Sequence, residues 1–191
     1  MDAWLGGPVA PLPLDASYAE LVRRWLARFG PGTLEDVQWW LGATKGSTRT
    51  ALTAVGAVEV ALERDRTGWV LADDVEPAPE VGLWAALLPT LDPTTMGWKE
   101  RDHHLDPDHR RWLFDSNGNG GTTAWWDGRV VGAWVQDEDG VVSVVECPGV
   151  DPGSEARAAL ALEAERLTAW LDGVRIANVY ASALMKGEPL P

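Results

Sequence analysis

The chain has 191 residues, 46% hydrophobic and 24% charged, which suits one ordinary domain or two small ones and excludes a disordered polymer. Its net charge of −13 argues against indiscriminate attraction to nucleic acid. No apolar run approaches the roughly 20 residues that span a bilayer, and MDAWLGGPVAPLPLD has neither a basic residue nor an apolar signal core.

The single Cys147 has no disulfide partner in the chain. A soluble, cytoplasmic protein with no membrane partner is therefore expected. Charge is uneven along it. Residues 17–71 hold seven basic and six acidic side chains, whereas residues 72–191 hold nine basic and twenty-one acidic ones. Two parts with different surfaces follow from that contrast. Twelve tryptophans give the chain many large apolar bodies, each with an N–H that needs a partner when buried.

Residues 1–16, punctuated by Pro and Gly, predict an extended lead-in. Tyr18, Leu21, Val22, Trp25, Leu26 and Phe29 then recur at helical spacing. FGPG ends this helix, with Gly30 expected in the left-handed conformation and Pro31 unable to continue. Thr33 caps a short second helix, with Asp36 placed close to a capping box and Gly42 closing it. A third helix runs from about Thr44 to Val55, with Thr48, Ala51, Leu52 and Val55 inward and Lys45, Arg49 and Thr53 on the opposite face. VEVALERDRTGWVLA predicts a hairpin whose charged turn ends at Gly68.

Three helices followed by a hairpin is the plan of a winged helix-turn-helix, here over residues 17–72. Residues 73–82, acidic with two prolines, predict a linker. Residues 83–191 then change to strand patterns. WAALLPTL, AWW, RVVGAWVQ and GVVSVVEC are β-prone, with turns at Asp127-Gly128 and Asp139-Gly140. Ser154 is placed to cap a helix of residues 154–171, on which Leu160, Glu163, Leu167 and Trp170 follow at helical steps, and VRIANVY predicts a closing strand. The expected class is α+β: a winged helix followed by a small antiparallel β-barrel-like domain with one long C-terminal helix.

NGNGGTTAWWDGRVVGAW, residues 117–134, raises the question of a phosphate-binding loop. Such a loop needs a helix and, in the Walker case, a lysine after its glycines. A hairpin follows instead, so these glycines mark turns, and no cofactor is called for. The hairpin itself offers two roles. Trp125 and Trp126, beside the Asp127-Gly128 tip and Arg129, can probe a nucleic-acid groove. Burial of the tryptophans in the sheet core is the favoured alternative.

DHHLDPDH, with His103, His104 and His109, has no known zinc-ligand spacing, so a surface loop is expected and no metal. No carboxylate pair stands out, and Cys147 lacks a supporting motif. Lys45 and Arg49 with Ser47, Thr50 and Thr53 form a modest basic, hydroxyl-bearing face on the third helix, and Arg64 and Arg66 sit in the hairpin. Lys45, Arg49, Thr53, Arg64, Arg66 and Arg129 are the candidate DNA contacts.

GPGTLEDVQWWLG, LLPTLDPTTMGWKERDHHLDP, FDSNGNGGTTAWWDGRVVGAW and a helix ending in LTAWL occur in that order over residues 17–175. Together they resemble the AlkZ-like (YcaQ-like) DNA glycosylase family. The resemblance implies several winged-helix units followed by a β-barrel on damaged duplex DNA. It also implies metal-free hydrolysis of the N-glycosidic bond of alkylated or crosslinked bases.

The family's Gln-x-Gln or Gln-x-Asp motif lies N-terminal to the part that matches. Here Gln38 precedes Trp39-Trp40 and Gln136 precedes Asp137-Glu138, so neither begins that motif and no catalytic residue carries over. MDAWLGG resembles the family's approach to its middle winged helix, as though a first domain had been cut away. The expected function is a module that binds double-stranded DNA without independent catalysis. An acidic scaffold or regulator with a protein partner ranks second, and a glycosylase using another acid ranks third. Thirteen arginines against three lysines fit a GC-rich bacterial genome.

Overall fold

A computed structural model describes residues 2–8 and 10–187. Met1 and Val9 of the expected lead-in and residues 188–191 of the expected second domain lie outside the described residues. The protein is mixed α and β, with two antiparallel sheets and a long C-terminal helix. It divides into two compact units, residues 2–79 with 97–99, and residues 80–96 with 100–187.

The first unit opens with a single helical turn, α1 (Asp2–Leu5), followed by α2 (Leu14–Phe29), α3 (Leu34–Leu41) and α4 (Lys45–Ala54). The lead-in is thus shorter than expected. The longer α2 follows from Pro13 at its N-cap, whose fixed φ suits a helix entry, and from Ser17, whose hydroxyl donates to the Pro13 carbonyl. Its inward stripe is Val22, Trp25 and Leu26, which cluster with Val37, Ala51 and Leu52, all at most 2% exposed. Leu21, expected inward, is exposed. The Trp25 indole stacks at an angle on Phe29 and Trp98, and its N–H donates to the Gly97 carbonyl at 3.1 Å. Burying so large a ring with its one donor satisfied makes Trp25 the centre of this core.

Gly30 does not adopt the expected left-handed conformation; its φ is −65° and its ψ 149°, so the chain leaves α2 extended. A Cβ on Gly30 would lie 2.7 Å from the Leu26 carbonyl oxygen, and Gly32 is constrained as well. A Cβ there would lie 2.1 Å from the Trp25 ring. Beyond it, Thr33 and Asp36 form a full capping box, with Asp36 N–H donating to the Thr33 hydroxyl at 3.1 Å and Thr33 N–H to Asp36 Oδ2 at 3.0 Å. Asp36 Oδ1 accepts the Lys99 N–H at 2.9 Å, which satisfies a carboxylate that is otherwise buried.

The hairpin consists of β1 (Val58–Leu62) and β2 (Arg66–Val70), paired antiparallel from Val58↔Val70 to Leu62↔Arg66. Its turn is Glu63–Asp65, with Arg64 and Asp65 at φ 59° and 56°. Gly68, expected to end that turn, lies within β2 opposite Val60. Reciprocal hydrogen bonds between Gly32 and Trp69 tie the hairpin to the α2–α3 connection.

The second unit carries β3 (Ala85–Leu88), the short helices α5 (Pro93–Met96) and α6 (Arg110–Leu113), then β4 (Thr123–Trp126), β5 (Arg129–Gln136), β6 (Val142–Glu146) and α7 (Gly153–Leu171). The sheet order β3-β4-β5-β6 is antiparallel throughout and does not close. The expected barrel is therefore an open sheet. Four strands fall short of the roughly eight that let a barrel close around its side chains. Alternation sends Trp125, Val130 and Ala133 to one face with Leu105, Leu113 and Leu184. Ala124, Val131, Trp134 and Val142 go to the other, under Leu160, Ala164 and Leu171 of α7. The switch in phase is the bulge between Ala124 and Trp125.

Residues 174–180 are not the expected strand. The Gln136 side chain takes up their backbone groups, donating to the Val174 carbonyl and accepting the Ile176 N–H. Asp127 and Gly128, at φ 45° and 77°, form the expected tight turn. Asp139-Gly140 does not repeat it: only Gly140 has positive φ, and the Asp137 side chain organises a longer loop by accepting the Asp139 and Val141 N–H groups. Ser154 does not cap α7, which begins at Gly153 with no side-chain cap. Trp170, one of the positions read at helical steps along this helix, is 76% exposed.

Candidate nucleic-acid interface

The face built by α4 follows from its sequence, KGSTRTALTA. Thr44 accepts the Ser47 N–H at 3.1 Å and fixes the start of the helix, and buried Thr48 returns its hydroxyl to the Thr44 carbonyl. With Thr48, Ala51 and Leu52 inward, Lys45, Arg49 and Thr53 recur four residues apart on the solvent side, and Thr50 is exposed beside them. Two cations and two hydroxyls thus share one exposed helix face. Residues 37–58 contain no Asp or Glu in a chain that has 29.

Lys45 Nζ meets Glu35 Oε1 of α3 at 2.9 Å, with the two side chains 54% and 43% exposed. That hydrogen bond holds the Glu35 carboxyl below its usual range. A pair this exposed contributes little, so a phosphate can compete with Glu35 for the ammonium. Lys99 adds positive charge near Glu35, because its backbone is anchored on Asp36. Local sequence gave no sign of it, since Lys99 lies 63 residues from Asp36. Arg64 is exposed at the hairpin turn, and Arg66 is half-buried with its Nε directed at the Glu63 carbonyl.

The second-unit hairpin is differently built. Trp125 is buried, its indole N–H donating to Thr123 Oγ1 at 2.8 Å, and its ring packs at 5.1 Å from His104. It cannot reach a base without leaving the core. Trp126 is half-buried, whereas Asp127, Gly128 and Arg129 are exposed. The tip thus keeps one cation and one acid from the expected probing hairpin.

The histidine segment is a partly exposed loop in which His104 and Leu105 turn inward. His104 is 4% exposed, shares a 2.8 Å Nδ1–Nε2 contact with His103, and accepts the Val130 N–H on its carbonyl. Burial, with positive charge from His103, Arg101 and Arg129, lowers its pKa to about 3. His109 faces the Pro148 carbonyl. Among the described residues no three His, Cys, Asp or Glu side chains gather as a metal site.

The glycine-rich loop wraps Asp115, whose carboxylate accepts the N–H groups of Asn117 and Asn119 and the Asn119 side-chain amide. Those bonds hold the carboxyl below its usual range. Amides turned onto the chain's own carboxylate do not cradle a phosphate. Cys147 is buried, and burial pushes its thiol up to about 12. No helix among the described residues is long and apolar enough to cross a membrane.

A helical unit with a paired hairpin, followed by an open antiparallel sheet under one long helix, places the chain among mixed α and β proteins with two compact units. The chain belongs to the AlkZ-like family: the family model described as DNA glycosylase AlkZ-like matches residues 1–170. The solved structure of Streptomyces sahachiroi DNA glycosylase AlkZ is similar in fold, with a TM-score of 0.65 and 24% identity, covering 83% of this chain and 46% of that one. This chain thus corresponds to under half of that protein's length. No curated protein matches the sequence.

Proposed function

We propose that this chain is a duplex-DNA-binding module whose first unit acts as a winged helix, with α4 as the helix presented to DNA and the β1–β2 hairpin as the wing. The observation that carries this reading is the acid-free run of residues 37–58, which leaves Lys45 and Arg49 as its only charges and displays them with Thr50 and Thr53 on one solvent face. Guanidinium, ammonium and hydroxyl donors on a helix face are the groups that meet phosphate oxygens and base edges. Arg64 at the wing supplies an outlying phosphate contact, and Arg129 on the second unit's hairpin is a separate candidate contact of that unit. Membership of a DNA glycosylase family supports DNA as the partner.

The module is proposed to lack catalysis of its own. Only Gln38 and Gln136 are available as glutamines, and the Gln136 amide is committed to the Gly140, Val174 and Ile176 backbone. A base-excising enzyme must hold a flipped nucleotide and position a water, and no described group is set for that task.

The test is duplex binding measured from low to moderate salt with the unmodified chain and with Lys45→Ala/Arg49→Ala. Binding should weaken steeply with salt, and the double variant should bind more weakly with a salt slope smaller by about 2. An unchanged slope would move the contact away from α4. Formation of abasic sites in alkylated duplex by the unmodified chain would overturn the non-catalytic part of the proposal.

A further inference from the structure

β6 ends the second-unit sheet, so one side of its backbone has no strand partner. The Val142 N–H turns to that side and donates to Thr168 Oγ1 of α7 at 2.8 Å, while the Cys147 N–H turns inward to the Val131 carbonyl at 2.9 Å. Because strand residues alternate, Val144 and Glu146 also direct their backbone groups outward. Thr168 covers the first of these positions, and Val144 is the next one along. Edge strands left in this state accept another extended segment.

Beside this edge lies a groove of about 580 Å³ between β6 and α7. Leu160 and Ala164 pack as its floor with Val142 and Val144, and the exposed Ala161 and Ala169 are too small to fill it. The charge along the groove has one sign. Arg157, its only cation, is held by Glu146 at 2.7 Å and Asp151 at 3.0 Å. Glu165 on the same wall makes no ion pair among the described residues, and Glu138 and Asp139 are exposed on the turn that enters β6.

We infer that the β6–α7 groove binds an extended peptide segment of a partner protein, with the segment pairing to the backbone of Val144, alternate apolar side chains over Ala161 and Ala164, and a lysine or arginine opposite Glu165. The groove's acids disfavour nucleic acid and a second copy of this −13 chain. The inference is independent of DNA binding by α4.

The test uses the full chain, isotope-labelled for NMR, and the acetylated, amidated hexapeptide TVTKTV, whose valines and lysine share one face when extended. Saturation near about 1 mM is expected, with the Val144 amide shifting and its hydrogen exchange slowing at least about tenfold as its N–H gains a partner. The peptide TVTETV should bind about threefold more weakly. Ala161→Phe, placed on an exposed position, should fill the groove and abolish binding while leaving the thermal midpoint in place. Val144 exchange unaltered by saturating TVTKTV would overturn the inference, as would equal binding by the Ala161→Phe chain. Protection of Val144 that instead appears with protein concentration alone, or with duplex DNA, would also overturn it, assigning the groove to a second copy or to nucleic acid.

Discussion

Arg49 and Arg64 of the helical unit stand exposed with no ion pair among the described residues, whereas Arg110, Arg157 and Arg166 of the sheet unit each hold a carboxylate at 2.5 to 2.7 Å. Arg111 of the same unit lies over the Trp112 ring, 4.7 Å from its centroid. Pairing does occur in the helical unit, on α2, where Glu20 holds both Arg23 and Arg24, and between α3 and α4, where Glu35 meets Lys45. Arg110, Arg111, Arg157 and Arg166 are thus occupied by the sheet unit's own acids and rings, whereas Arg129 stays exposed at its turn. The lesson is that net charge describes the whole chain, while affinity for a polyanion depends on where acids are missing.

The largest effect should come from removing the core that holds α4 in place. Trp25→Ala is expected to cost about 3–5 kcal/mol, and hydrogen exchange should locate the loss. Amides of α4 should exchange faster while those of β5 are unaffected; equal loosening in both units would break the distinction between them. Gly132→Ala is the matching change in the sheet. A Cβ there would lie 2.2 Å from the Val145 carbonyl oxygen and 2.9 Å from Glu146 Cα, both backbone atoms that yield only by opening the β5–β6 pairing. A loss of about 3 kcal/mol in denaturant unfolding is expected.

Acid should act on the sheet unit first. His104 is neutral when folded because its pKa is lowered to about 3, while the unfolded side chain titrates near 6.5. The unfolded state therefore takes up a proton first, and stability present above 6.5 is lost as pH falls toward 3, by about 1.4 kcal/mol per pH unit. His104→Gln should flatten that portion of the stability profile; an unchanged profile would assign it to other groups. Arg49→Ala should leave unfolding unchanged and reduce the salt slope of duplex binding by about 1. The smallest effect concerns Cys147, whose buried, high-pKa thiol should stay unmodified by a thiol reagent at pH 8 until the chain is unfolded.

Short-range features of the fold were legible in the sequence. The Thr33–Asp36 box, the α4 stripe and the Asp127-Gly128 turn each depend on residues within a few positions of one another. Features that depend on distant partners were not. Trp98 donates to the Phe29 carbonyl and Lys99 to Asp36, contacts across more than sixty residues that leave no local pattern. VRIANVY has strand-forming residues, but a glutamine side chain replaces the neighbouring strand it would need. Of the candidate site, the α4 face could be read from helical spacing alone. Burial of Trp125 was the favoured reading of its hairpin and is what the structure shows, but the bulge that lets Val130 and Ala133 of β5 share its face left no local pattern.

The central claim is that DNA meets the acid-free face of α4. An NMR titration of the labelled chain with a short duplex at low salt tests it most directly. The amides of Lys45, Arg49, Thr50 and Thr53 should shift first and together, with weaker changes at Arg64 and few in the sheet unit beyond the Arg129 turn. Shifts confined to the sheet unit, or none at all under conditions where binding is measured, would contradict it.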